Sequence, residues 1–241
     1  MLAIFSDIHG NLEALEAILK DIRRKRIKPE NVFFLGDAVS YGLNSSECLT
    51  LLEKSGVNVC LGNHEQRMLN YDPRSIRWSP EGRLHQQATL FSLNNQNINF
   101  IKKMPVFHKI IHKGIRIMMC HYEFNGDGQV ADDNDFVLFE GTLQKMFDKH
   151  NCQIVFFGHN HVEKILYNEG GRSYVSVGSS GCVKGDSTYY RIFDFKNDNF
   201  YMPKIKVKFN RKKFEQKWEC ETNEIKKMFP KDFGLTKKEV H

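Results

Sequence analysis

Five apolar runs in this chain end in the same way, and that ending narrows the possible folds more than any other feature. "LAIF" runs into Ser6-Asp7-Ile8-His9, "VFFL" into Gly36-Asp37, and "VNVCL" into Gly62-Asn63-His64-Glu65. "IRIMMC" meets His121, and "QIVFF" meets Gly158-His159-Asn160-His161. Each run has the length and composition of a buried strand. In an open α/β sheet the carboxyl ends of parallel strands line one crevice, where ligands bind. The polar residues at these exits are therefore expected to converge although they are far apart in sequence.

The segments between the runs support such a sheet. "NLEALEAILKDIRRKR" places Leu12, Leu15, Ile18, Leu19 and Ile22 at helical spacing, with Asn11 as its N-cap. "SSECLTLLEKSG" reads as a second helix, opened near Ser45 or Ser46 and stopped near Gly56. Strand, helix, strand, helix, strand is the pattern of a parallel sheet covered by helices. Helical stripes follow in "SPEGRLHQQATLFSLNN", in "NQNINFIKKMP" and in "DNDFVLFEGTLQKMFDKH". The strands of the second half are expected to be mainly antiparallel, with hairpin-like turns at Glu169-Gly170-Gly171 and Lys196-Asn197-Asp198. "FYMPKIKVKFN" reads as one strand, and a helix is expected from Arg211 to about Phe229. The fold class is an α/β sandwich.

With 241 residues, 41% of them hydrophobic, the chain can bury one sizeable core. No repeat or flexible linker divides it, so one domain over 1–241 is expected, closed by a basic strand and helix at about 199–241. No stretch approaches a membrane span of about 20 apolar residues. "MLAIFSD" is too short, and acidic too soon, for a signal peptide. The six cysteines form no C-x-x-C pair and read as free thiols. A cytoplasmic protein without a membrane partner is expected. The net charge of +6 is concentrated between Lys204 and Lys238. That region could contact nucleic acid. Alternation of Ile205, Val207 and Phe209 with Lys204, Lys206 and Lys208 also fits one strand with a wet face.

Each strand-end motif has a mundane reading by itself. Asp7 or Asp37 can serve a turn, Asn63 a helix cap, and a lone histidine a structural hydrogen bond. Together they do not, because buried polar groups cost free energy unless paired. A pair of metal ions satisfies all of them at once. Carboxylate and imidazole donors without thiolate suit Mn²⁺, Fe, Zn²⁺ or Ni²⁺.

The motifs D-x-H (Asp7, His9), G-D-(x)4-G (Gly36, Asp37, Gly42), G-N-H-E (Gly62 to Glu65), a strand-end His121 and G-H-x-H (Gly158 to His161) occur in that order. In this the sequence resembles the calcineurin-like metallophosphoesterases. "DIHGNLEALEAIL", "GDAVSYGLNSSECLTLL" and "SVGSSG" are similar to the YfcE-like phosphodiesterase branch. The resemblance covers roughly residues 1–195. It implies a four-layer α/β/β/α sandwich of mixed sheets and two divalent cations, Mn²⁺ first among them. Asp7, His9, Asp37 and His161 would hold one ion, and Asp37, Asn63, His121 and His159 the other. Asp37 would bridge. His64 would face the leaving oxygen as general acid or electrostatic stabiliser. Asp37, Asn63 and His64 are thus the catalytic set, and a metal-activated hydroxide would attack phosphorus in line.

The sequence departs from the family twice. Phosphoprotein-type members carry an arginine where Ser40-Tyr41-Gly42 stands here. The strand-end histidine is often followed by Gly-Ser or Gly-Thr, but here by Tyr122-Glu123-Phe124. A small phosphodiester is therefore the expected substrate. A phosphomonoester or phosphoprotein, a nucleic-acid end met by the basic tail, and a non-enzymatic metal-bearing scaffold remain alternatives. Tyr41, Arg83 and Tyr122 are possible substrate contacts. His85, His108, His112, His150 and His241 read as surface or structural residues. Gly178-Ser179-Ser180-Gly181 reads either as a phosphate cradle or as a tight turn.

Overall fold

The computed structural model describes residues 1–74, 79–125, 129–130, 140–168, 170–196, 199–219 and 233–235. β1 (Leu2–Phe5), α1 (Leu12–Arg24), β2 (Val32–Phe34), α2 (Ser45–Ser55) and β3 (Asn58–Val59) follow in the expected order. β1 and β3 flank β2, both parallel to it, with Ala3 opposite Val32 and Phe33 opposite Asn58. Asn11 caps α1 by accepting the Ala14 N–H at 3.0 Å, and α2 stops on Gly56 at φ +66°.

Alternation along the strands builds the layers. Leu2, Ile4, Phe33 and Leu35 pack inward against Ile117, Met119, Ile154, Phe156 and Val175 of the second sheet. Ala3, Phe5, Val32 and Phe34 face the other way, among Leu15, Ile18, Leu49 and Leu52 of α1 and α2. The second sheet runs β4 (Phe107–His112), β5 (Ile115–Cys120), β6 (Ile154–Phe157), β8 (Ser173–Val177), β7 (Glu163–Tyr167). Its outer face, with Met118, Cys120, Val155 and Phe157, packs with Leu143, Met146 and Phe147 of α6 (Glu140–Phe147) and its end. The result is a four-layer α/β/β/α sandwich.

Three expectations change. The centre of the second sheet is parallel, β5 to β6 to β8, and only its edge strands β4 and β7 are antiparallel. The crossover through α6 returns the chain to start β6 in the direction of β5. The strand expected over "FYMPKIKVKFN" is two, β10 (Asn199–Tyr201) and β11 (Lys204–Lys208). Both pair with β9 (Ser187–Lys196), which returns to the first sheet antiparallel to β1. They part at Pro203, which has no N–H for a ladder. Third, "GNHE" is more than a loop, because it opens α3 (Asn63–Leu69).

The helices α4 (Pro80–Ser92) and α5 (Asn95–Ile101) cover the flank beside α2 and α3. α7 (Arg211–Glu219) is the last described helix, with Phe214 and Trp218 buried with Ala14 of α1 and Phe233. Lys217 and Lys213 reach the buried Glu13 carboxylate at 2.7 and 3.4 Å. The expected continuation of this helix to Phe229 lies outside the described residues. So do Cys220, His241, the start of the helix expected around 133–139, and parts of both turns at 169 and 197–198. Among the described residues no helix is long and apolar enough to cross a membrane.

Candidate metal centre

The parallel strands of both sheets point their carboxyl ends at one rim, and the predicted side chains meet there. Asp37 Oδ2 is central. It lies 3.1 Å from His121 Nε2, 3.8 Å from His9 Nε2 and 3.9 Å from His64 Nε2. On one side His9 Nε2 and His161 Nε2 face each other at 3.0 Å, with Asp7 Oδ1 at 3.9 and 3.5 Å from them. On the other side Asn63 Oδ1 is 2.9 Å from His121 Nε2 and 3.1 Å from His159 Nδ1. All seven residues assigned as metal ligands are therefore brought together.

The chain imposes this arrangement locally. Asp7, His9, Asp37, His159 and His161 all have φ between +46° and +75°. A non-glycine residue there carries a backbone cost that persists only where the surroundings demand it. The glycines of the motifs allow close approach. A Cβ on Gly62 would collide with Asp37 Oδ1, and one on Gly158 with Ser6 and Asp7. His121 Nδ1 bonds the Leu35 carbonyl at 3.0 Å, and His9 Nδ1 that of Val39 at 3.0 Å. Those carbonyls only accept, so each Nδ1 donates, and in the neutral ring Nε2 is the nitrogen that offers its lone pair to a cation. Tyr122, buried, stacks on His159 with ring centres 4.5 Å apart.

Glu65 holds the bridge in place. Its Oε2 accepts the N–H groups of Asp37 and Gly62 at 2.8 and 3.1 Å, and its Oε1 those of Ala38 and Val39 at 2.7 and 3.1 Å. Burial and the Asp37 charge push its carboxyl up to about 7. In the sequence Glu65 is the last residue of the G-N-H-E motif, with no role assigned to it. Its signal was the N3 position of a helix opened by Gly62.

The electrostatics are those of a cation site. Burial would raise the Asp37 carboxyl, but the His121 and His64 rings hold it well below the usual range. Burial would lower His121, yet the Asp37 carboxylate takes it up to about 9. Burial would lower His161 too, but Asp7 and the Cys182 sulfur beside it push it up to about 11. His9 is lowered to about 4 by burial and by its charged neighbour His161. In the pair at 3.0 Å, His161 therefore donates and His9 accepts. These residues fit divalent cations, since carboxylate, amide-oxygen and imidazole donors face one another in pairs that a metal would replace.

A titration consequence follows. Without metal, His121 and His161 are charged at pH 8. Their raised values stabilise the metal-free fold fully below about pH 6.5. That contribution is lost as pH rises through about 9 and then about 11. Metal binding needs neutral rings, so uptake of Mn²⁺ at pH 8 is expected to expel a proton from each. Calorimetry in two buffers of different ionisation enthalpy measures this. Proton-neutral binding would contradict the assignment.

The remaining expected residues divide. Tyr41 and Arg67 line a cavity of about 240 Å³ over the centre, together with Asp37, Asn63, His64, His159, Asn160 and His161. His64 is buried, and its Nε2 lies 3.1 Å from an Arg67 guanidinium nitrogen. His85, expected to be structural, is buried and accepts the Tyr41 N–H at 3.0 Å. Of the two readings of Gly178 to Gly181, the bonds of its last two residues favour the tight turn. The Ser180 and Gly181 N–H groups donate to the Ser6 and Asp7 carbonyls, both at 2.9 Å. Cys182, which the sequence reading left among the free thiols, has its Sγ within 4.8 Å of ring nitrogens of His9 and His161. It lies in the loop after β8, which ends at Val177, much as the seven assigned residues follow their strands.

Calcineurin-like phosphoesterases match this sequence over residues 1–163, a span that holds every motif residue from Asp7 to His161. The chain belongs to that family. As a calcineurin-like metallophosphoesterase it is a phosphoester hydrolase. An uncharacterized protein of Methanocaldococcus jannaschii is 28% identical over 233 residues, covering 90% of this chain and 91% of its own. A hypothetical protein from Pyrococcus horikoshii superposes with a TM-score of 0.69 at 16% identity, over 93% of this metallophosphoesterase and 95% of its own chain. A metallophosphoesterase from Sphaerobacter thermophilus gives 0.64 at 18%, over 93% and 96%. At these identities the two structures show a shared fold.

Proposed function

We propose that this metallophosphoesterase is a phosphodiesterase acting on small substrates through two divalent cations, Mn²⁺ first among them. Asp7, His9, Asp37 and His161 would hold one ion, and Asp37, Asn63, His121 and His159 the other. When bound, such ions acidify a water and neutralise the phosphoryl oxygens. The protein supplies the rest. Asp37 Oδ2 is the oxygen common to both halves. His64 Nε2 accepts from Arg67 here, and burial holds the ring well below its usual range, so its proton for the leaving oxygen would be taken up only once substrate displaces Arg67. Arg67, donating to that nitrogen, keeps the ring aimed into the cavity until substrate takes its place.

The observation that carries the diester reading is the cation inventory of the cavity. Among the described residues that line it, Arg67 is the arginine, there is no lysine, and its guanidinium is engaged with His64. A dianionic monoester gains most from a bidentate arginine fork. A monoanionic diester loses less without one. The expected result is a higher kcat/KM for bis-(p-nitrophenyl) phosphate than for p-nitrophenyl phosphate, on one metal-saturated preparation. A clear monoester preference would turn the reading to a phosphomonoesterase. The same assay, with Mn²⁺ beside Mg²⁺, tests the choice of ion, because Mg²⁺ prefers oxygen donors.

The lysines of the C-terminal part support a small substrate over nucleic acid. Lys204 pairs with Glu163, Lys208 with Asp186, and Lys213 and Lys217 with Glu13. They fasten β11 and α7 to the body. Reduced cysteines buried at Cys48, Cys60, Cys120 and Cys152 support a cytoplasmic setting.

A further inference from the structure

The loop after β8 brings a sulfur to the metal centre. The ligand atoms of His9, His161 and Cys182 all lie within 4.8 Å of one another. Two of the three are residues assigned above to one metal ion. In a tetrahedral site, Zn–S bonds of about 2.3 Å and Zn–N bonds of about 2.1 Å place sulfur and nitrogen about 3.6 Å apart. A turn of the Cys182 side chain that moves its sulfur by up to about 1 Å closes the site.

The sulfur is held there by the fold. Ser179 Oγ donates to the Asp7 carbonyl at 2.8 Å and accepts the Cys182 N–H at 2.9 Å. Asn11 Nδ2 donates to the Gly181 carbonyl at 2.8 Å. A Cβ on Gly181 would collide with the Ile8 carbonyl, so the loop lies directly on the D-x-H exit. The cysteines Cys48, Cys60, Cys120 and Cys152 are buried in the body and join no group of metal-ligating side chains among the described residues.

We propose that Cys182 is a sulfur ligand of the ion held by His9 and His161. The proposal rests on the metal-centre reading above and adds a donor that the family motifs do not contain. The Sγ–H proton leaves to solvent as the sulfur–metal bond forms, with no change of oxidation state. A thiolate favours softer ions, so at this position the choice moves from Mn²⁺ to Zn²⁺, Co²⁺ or Fe²⁺, while the other position keeps only oxygen and nitrogen donors and with them Mn²⁺.

The full-length protein loaded with Co²⁺ tests this. Visible d–d bands report cobalt at the histidine and carboxylate donors, and a near-ultraviolet thiolate-to-cobalt band reports sulfur. Both are expected in the wild type. In Cys182→Ser the near-ultraviolet band disappears, the visible bands persist, and Zn²⁺ affinity falls about tenfold or more. Cobalt is also expected to slow alkylation of Cys182 in the wild type about tenfold or more, read by peptide mass mapping, which needs no variant. Visible bands without the sulfur band, or equal alkylation with and without cobalt, would overturn the ligand role of Cys182 and leave the metal centre standing. Absence of cobalt binding altogether would overturn both.

Discussion

Glu65→Ala is expected to lower the melting temperature by about 10 °C and to cost the protein its bridging metal ligand geometry. The side chain is fully buried and accepts four backbone N–H groups, those of Asp37, Ala38, Val39 and Gly62. Each buried donor left unpaired costs about 1–3 kcal/mol. Water entering the space would recover part of that, so a net loss of about 4 kcal/mol is reasonable. For a chain of this size each kcal/mol moves the melting temperature by about 2–4 °C. The variant Glu65→Gln separates two parts of the effect. One amide oxygen can still serve Ala38 and Val39, but the amide nitrogen then faces the N–H groups of Asp37 and Gly62. It should fall between wild type and alanine. Metal also matters to this residue. Its carboxyl is raised to about 7 by burial and then by the Asp37 charge, and a cation on Asp37 would relieve the second cause. Added Mn²⁺ should therefore raise the melting temperature of the wild type and do little for Glu65→Ala. Scanning fluorimetry with elemental analysis decides it. An alanine variant that melts within about 3 °C of wild type and keeps its metal content would remove Glu65 from this role.

Glu65 also shows where the sequence is legible and where it is not. Asp7, His9, Asp37, Asn63, His121, His159 and His161 could be read because each stands where an apolar strand stops, and strands announce themselves by composition. The four layers came only from the family resemblance, because Leu2, Ala3, Ile4 and Phe5 are all apolar and the sequence does not say which of them face α1 and α2. Glu65 stands at the same exit as Asn63, but nothing there marks its task. Its task depends on the N–H groups of Asp37 to Val39, and only the folded chain brings those to it. Ser180 and Gly181 mislead in the opposite sense. A glycine-rich turn has amides to offer, but here the Ser6 and Asp7 carbonyls take them. The direction of β6 and β8 was hidden because it depends on a crossover through α6, and periodicity carries no information about handedness or direction. Pro203 was the readable exception that went unread, a residue without an N–H in the middle of an apparent strand. Cys182 did stand at a strand exit, but a single cysteine says nothing until His9 and His161 are seen beside it.

His64→Ala and Asp37→Asn are expected to fail in different ways, and the difference tests the division of labour at the centre. Asp37 Oδ2 lies between His121, His9 and His64. Its amide replacement removes the charge that both metal positions share, so metal content and rate should fall together. His64 is placed otherwise. Its Nε2 is turned to Arg67 in the cavity, and its backbone N–H donates to Asp37 Oδ1 at 2.9 Å. Alanine keeps that backbone bond, so the bridge should stay in position and both ions should remain. What is lost is the proton offered to the leaving oxygen, a term of about 10²–10⁴-fold in rate. The loss should shrink for nitrophenolate esters, whose leaving oxygen barely needs a proton, and grow for alkyl esters. One competing geometry is present, because His64 also falls within ligating distance of Asp37 and His9. The two roles diverge in the same experiment. If His64→Ala binds one ion fewer by elemental analysis, or if its rate loss is the same for good and poor leaving groups, His64 is a ligand or a positioning residue and the acid must be sought elsewhere.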